Sequence, residues 1–210
     1  YQINLAIAGI AIGTVILPNL SRHIKSNNSI KTIELQNKAL ELSLFLSLPA
    51  SFALMFGSEQ ITSALFGYGS FDQVSVRNSA KALFYFSFGL PAFSLIKIFS
   101  TFLFARNDTK TPFKYSLISV TLNIAISLTF FSQVGFIIIP IATTISSWFN
   151  GIILLVFVIN NNYFKFNSNF ISQILKIIFS NIIAISIFYF LINFLESSLN
   201  YVNNYKFIFI

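Results

Sequence analysis

The stretch GLPAFSLIKIFSTFLFARNDTKTPFKYSLISV, residues 89–120, decides the fold. Two apolar runs meet at a knot of ions, Arg106, Asp108, Lys110 and Lys114, in a chain that is 55% apolar and 9% charged. A soluble domain is roughly a quarter charged, so this composition belongs in lipid. A helix crosses about 30 Å of hydrocarbon with roughly 20 apolar residues. The run at 82–104 before the knot and the run at 112–131 after it both meet that length, so the knot reads as the turn of a membrane hairpin.

Comparable runs lie at 1–20, 39–57, 136–159 and 174–195, and residues 207–210 begin another. The expectation is an all-α, polytopic membrane bundle, a single transmembrane domain over 1–210 with about six transmembrane helices and the start of a seventh. Strands of a membrane barrel would alternate in polarity, which these runs do not. Pro49, Pro91 and Pro140 fall within runs and are expected to bend them. The opening YQINLAIAGIAIGTVILP lacks the basic segment and cleavage site of a signal peptide. Both ends are expected to be cuts in a longer chain.

Charge sets an expected orientation. The segments at about 20–41, 105–115 and 160–176 hold Arg22, Lys25, Lys31, Lys38, Arg106, Lys110, Lys114, Lys165 and Lys176, whereas the alternate segments hold Arg77, Lys81 and Lys206. The richer side belongs in the cytoplasm. Within the knot, Asp108 or Thr109 can cap, Thr111 can serve as N-cap, and Pro112 suits a first helical position. Arg106 meets the negative end of the preceding helix.

Several function classes drop out. The net charge of +7 is dispersed between apolar runs rather than gathered on one wet patch, which argues against nucleic acid. With no cysteine and one histidine, there is no disulfide, thiolate nucleophile or multi-His metal cluster. No HExxH, GxSxG or phosphate-binding loop is present, so neither an enzyme, a cofactor nor a metal is expected. Glu34, Glu41, Glu59, Asp72, Asp108 and Glu196 all flank the runs, leaving no mid-membrane carboxylate to couple ions. The 27 Phe and abundant Ile and Asn suggest an AT-rich genome, which lowers the weight given to single Asn and Lys residues.

Lys97 stands apart, roughly 12 Å inside the membrane by helix rise. Exposure to lipid there would cost about 3 kcal/mol. Ser87, Pro91, Ser94, Lys97 and Thr101 recur at spacings of three and four and share a helical face. Two readings stand: Lys97, with Ser94 and Thr101, faces protein or a water-filled cavity, or its stem snorkels to the interface. Further stripes, Ser43/Ser47/Ser51, Ser116/Ser119/Asn123/Ser127 and Thr143/Ser147/Asn150, read as hydrogen-bonded helix packing, and Gly9 with Gly13 forms a GxxxG for close approach.

Three strings carry a resemblance: IAIGTVILPNLSRH at 10–23, ALFGYGSF at 64–71 and GLPAFSLIKIFSTFLFARNDTKTPFK at 89–114. In order and spacing they are similar to motifs of the MurJ/MviN lipid II flippase family, which belongs to the multidrug/oligosaccharidyl-lipid/polysaccharide flippase superfamily. Gly89, Leu90, Lys97, Phe104, Ala105, Arg106, Asp108, Thr109, Thr111 and Pro112 match the family's longest block, and Lys110 lies within it. The opening resembles the start of the eighth helix, with Asn4 where a proline is usual. The resemblance implies the second lobe of a two-lobe flippase in the bacterial inner membrane, with the loops at 20–41, 105–115 and 160–176 cytoplasmic. It implies transport of a polyprenyl-pyrophosphate-linked cell-wall precursor from inner to outer leaflet, among membrane lipids and beside a missing N-terminal lobe. Gln2, Gly9, Gly13, Ser94, Lys97 and Thr101 would border the path. A different polyprenyl-linked oligosaccharide, a drug, or a non-transporting scaffold role are the alternatives.

Overall fold

The computed structural model describes residues 11–67 and 71–206. Gln2, Asn4, Gly9 and the helix start expected at 207–210 lie outside the described residues. Seven α-helices are described: α1 Ile12–Lys25, α2 Ser29–Phe56, α3 Ser58–Phe66, α4 Gln73–Phe104, α5 Lys110–Val134, α6 Ile138–Asn160 and α7 Phe170–Lys206, with a short 3-10 turn at Gly135–Ile137. Four stretches are long and apolar enough to cross a membrane, Ser29–Phe56, Gln73–Phe104, Lys110–Asn160 and Phe170–Leu191. The third contains two helices, α5 and α6, because the chain turns at Gly135, whose φ of 72° suits glycine. Leu128 and Phe190 stay 75% and 69% exposed. Water would penalise such surfaces, but lipid does not. The chain is an all-α, polytopic membrane bundle.

Long α4 is the hub, packed by α2, α6, α3 and α1, while α5 lies on α6 and α7 on α2. Its core joins Leu20, Leu40, Ile98, Phe99, Phe102, Leu103, Leu154 and Phe164. Polar stripes do bind helices. Pro91 has no N–H to give the Ser87 carbonyl, and Ser51 Oγ on α2 donates to that oxygen at 2.6 Å. The α4 helix therefore runs unbroken through the proline. From α6, Thr144 Oγ1 donates to the Tyr85 carbonyl at 2.8 Å and Trp148 Nε1 to the Phe88 carbonyl at 3.0 Å. Ser119 Oγ on α5 reaches the Ser146 carbonyl at 2.6 Å, and Asn123 Nδ2 reaches Thr143 Oγ1 at 3.0 Å. Pro140 is third in α6, where its missing donor leaves no intrahelical bond unmade.

Helix limits differ from the apolar runs in one consistent way. Most of 20–41, expected as loop, is helix: α1 extends to Lys25 and α2 starts at Ser29. Likewise α4 starts at Gln73, well before residue 82. Lys, Arg, Glu and Gln form helix well, so the backbone continues past the hydrocarbon that the runs measured. The helix α3 at Ser58–Phe66 was not expected at all. The loops at 26–28, 105–109 and 161–169 gather at one end of the bundle, and the start of α3 with the turn at Ile137 lies at the other.

Candidate functional site

A cleft of about 620 Å³ opens between α1, α4 and α5, walled by Gly13, Thr14, Lys97, Ser100, Thr101, Phe104, Thr109, Pro112 and Ser116 among others. Lys97 is exposed and is the one cation among the described residues of its lining. Thr101 is buried one turn along α4, and its Oγ1 donates to the Lys97 carbonyl at 2.9 Å. Across the cleft Gly13 lets α1 approach: a Cβ there would meet Thr101 Oγ1 at 2.8 Å.

The expected path residues thus separate. Gly13, Lys97 and Thr101 line one cleft. Ser94 is fully buried away from its lining, because α4 packs that part of its face against neighbouring helices. Thr14 and Ser100 join the cleft without having been singled out. Their signal was available, since Thr14 follows Gly13 and Ser100 lies one turn from Lys97 on the same helix.

The ion knot also divides. Thr109 and Pro112 border the cleft. Asp108 rather than Thr111 supplies the cap: its Oδ1 accepts the Thr111 N–H at 3.0 Å, while Thr109 occupies the N-cap position without a side-chain bond. Thr111 is already helical, Pro112 stands third in the helix, and Lys110 is exposed at its start. Arg106 turns to the neighbouring loop. Its Nη1 donates to the Phe102 carbonyl at 3.1 Å, its Nη2 to the Tyr163 carbonyl at 2.9 Å, and the guanidinium sits 4.6 Å from the Tyr163 ring centre. Burial pushes its pKa below the ordinary value, with Tyr163 opposing, yet a guanidinium stays charged.

Asn37 completes this end of the bundle. From α2, its Nδ2 donates to the Lys165 carbonyl at 2.8 Å and its Oδ1 accepts the Asn167 N–H at 3.0 Å. Among the described residues no group of three or more His, Cys, Asp and Glu could hold a metal ion. What the site offers is a half-open cleft between helices, polar along one wall, with the exposed Lys97 ammonium beside apolar surface. Such a mixed lining suits an amphiphile.

Comparison with known proteins places this geometry. The family model described as "Lipid II flippase MurJ" matches residues 1–208. A probable lipid II flippase MurJ of Rhizobium meliloti (strain 1021) is 40% identical over 154 residues, 73% of this chain and 29% of that protein. One from Rickettsia prowazekii (strain Madrid E) is 37% identical over 150 residues, 71% of this chain and 30% of that protein. The chain therefore matches less than a third of the length of these relatives. A solved structure titled "Lipid II flippase MurJ, inward closed conformation" superposes with a TM-score of 0.68 at 27% identity, over 90% of this chain and 45% of that one. With nearly the whole of this chain matched by the family model, and with the α4–turn–α5 block in place, the chain belongs to the lipid II flippase MurJ family.

Proposed function

We propose that this chain forms part of a lipid II flippase of the bacterial inner membrane, moving a polyprenyl-pyrophosphate-linked peptidoglycan precursor from the inner to the outer leaflet by alternating access. The observation that carries the reading is the family match over residues 1–208. A transporter of this cargo needs a polar path for sugars and diphosphate, while the lipid tail stays in the bilayer. The cleft between α1, α4 and α5 fits one wall of such a path, with Lys97 as an anion-attracting group and Thr14, Ser100, Thr101 and Ser116 as hydrogen-bonding groups. The relatives' greater length supports a further lobe that supplies the opposite wall. The excess of cations around Arg22, Lys25, Arg106, Lys110 and Lys165 supports a cytoplasmic position for the end of the bundle where Arg106 meets Tyr163.

The test is complementation. A full-length gene carrying this chain restores growth to a bacterium depleted of its own lipid II flippase, and replacing residues 89–114 with an unrelated hairpin of equal hydropathy abolishes the rescue. Growth supported equally by the replaced hairpin would sink this reading.

A further inference from the structure

At the end of the bundle opposite Arg106, a second cleft of about 480 Å³ lies between the start of α3, the start of α4 and the turn before α6. Its charged wall is built from Arg77 and Lys81, with Tyr85 one turn deeper, and Glu59 and Ser58 face them from α3. Residues 77, 81 and 85 succeed one another at four-residue intervals on one face of α4, about 6 Å apart along the helix axis.

Two like charges one turn apart repel, and cations at this end work against the orientation bias that the other end sets up. Only Arg77, Lys81 and Lys206 belong to this end in the sequence, and two of the three converge on this one cleft. An ion pair would be the simplest offset, but among the described residues neither cation pairs with Glu59 or any other carboxylate. The N-terminus of α3, which opens into the same cleft at Ser58 and Glu59, carries no side-chain cap. Backbone donors at a helix start, a guanidinium and an ammonium together match a phosphate group.

We propose that this cleft binds a phosphate-bearing group, either the headgroup of an anionic phospholipid or a diphosphate. Arg77 forks onto phosphate oxygens, Lys81 and the Tyr85 hydroxyl donate from the wall, and the α3 start closes the far side. Glu59 weakens the site and keeps release fast.

The experiment uses the full-length protein carrying this chain. In one arm, inorganic pyrophosphate is titrated calorimetrically into protein held in phosphatidylcholine nanodiscs. In the other, native mass spectrometry reads retention of phosphatidylglycerol by protein taken from mixed phosphatidylcholine–phosphatidylglycerol nanodiscs. Saturable binding is expected in at least one arm, about tenfold weaker in the Arg77→Gln/Lys81→Gln variant and about threefold stronger in Glu59→Gln. Binding confined to the first arm assigns a diphosphate, and binding confined to the second assigns a lipid headgroup. Both cations are exposed, so the unfolding temperature should not move, and Lys110→Gln/Lys114→Gln at the other end serves as a charge control. Equal binding by the wild type and Arg77→Gln/Lys81→Gln in both arms, or an equal loss in the charge control, overturns the assignment.

Discussion

Gly13 and Thr101 mark where α1 meets α4: a Cβ on Gly13 would stand 2.8 Å from Thr101 Oγ1. The hydroxyl cannot simply rotate away, because it is bonded to the Lys97 carbonyl at 2.9 Å. Alanine in a helix gains about 1 kcal/mol over glycine, whereas overpacking costs about 1–3 kcal/mol, so the clash outweighs the propensity. Gly13→Ala should therefore lower stability in detergent slightly and Gly13→Val clearly. Thr101→Ala should restore most of the loss in the double variant. Additive losses in that double-mutant cycle would show that the two residues do not press on each other.

Lys97 offers a sharper functional test, being exposed at the cleft and unpaired among the described residues. If its charge attracts cargo, Lys97→Met lowers complementation about tenfold or more while Lys97→Arg keeps most of it. Unfolding temperatures of the two variants should match, since the exposed ammonium holds no partner among the described residues. Equal transport by both variants would leave a snorkelling side chain with no role in the path.

How much was legible varies with the physical origin of each feature. The apolar runs showed the membrane hairpin and the all-helical class, because hydrocarbon thickness acts directly on composition. They could not show where helices end in the headgroup layer, where Lys31 and Lys38 remain helical. Nor could they show α3, too short and mixed to register as a span. Cross-helix hydrogen bonds from Ser51, Ser119 and Asn123 were legible from spacing, whereas Ser47 has no partner among the described residues, Ser147 bonds back within α6, and the split between Ser94 and Thr101 depended on how α4 packs. Asparagine was the main loss. Discounted as genomic drift, it nonetheless ends three helices at Asn27, Asn107 and Asn162, with φ of 54°, 60° and 56°. The readable signal was an Asn directly after a helical run in IKSNN, FARND and INNNY.

Those three turns share one wiring. The Asp108 N–H returns to the Leu103 carbonyl and the Asn107 N–H to the Phe104 carbonyl, and the same pattern recurs as Asn28 to His23 with Asn27 to Ile24, and Tyr163 to Val158 with Asn162 to Ile159. This closure needs a left-handed residue, which asparagine or glycine provides cheaply. Asn107→Gly and Asn162→Gly should be neutral in thermal unfolding, while Asn107→Val and Asn162→Val should each cost about 1–2 kcal/mol. Valine variants as stable as glycine ones would contradict the turn geometry.

Asp72 gives the start of α4 a pH dependence. As N-cap it accepts the Ser75 N–H at 2.8 Å, and bonds from the Ser75 side chain and backbone hold its carboxyl below the ordinary value. A carboxylate with a lowered folded-state pKa stabilises above its unfolded value, near 4, and loses that contribution as pH falls through the lower folded value. Amide exchange in the first turn of α4, corrected for intrinsic rate, should stay flat from neutral pH to about 5 and quicken in stronger acid. Asp72→Asn should remove that acid transition. A transition that survives the substitution would assign it to another group.

Arg106 and the lysines after it carry separable duties. The guanidinium ties the end of α4 to the 161–169 loop through the Phe102 and Tyr163 carbonyls and the Tyr163 ring, whereas Lys110 and Lys114 are exposed. Arg106→Lys keeps the charge that biases orientation, but an ammonium cannot reproduce the fork onto two carbonyls, so stability should fall by about 1.5–3 kcal/mol. Lys110→Gln/Lys114→Gln should do the reverse, changing stability by less than about 0.5 kcal/mol while weakening the positive-inside bias. Cysteine labelling at Ser168 reports orientation, and unfolding in detergent reports stability. Loss of orientation in Arg106→Lys with unchanged stability would reverse the assignment of duties, leaving the Tyr163 contact energetically empty.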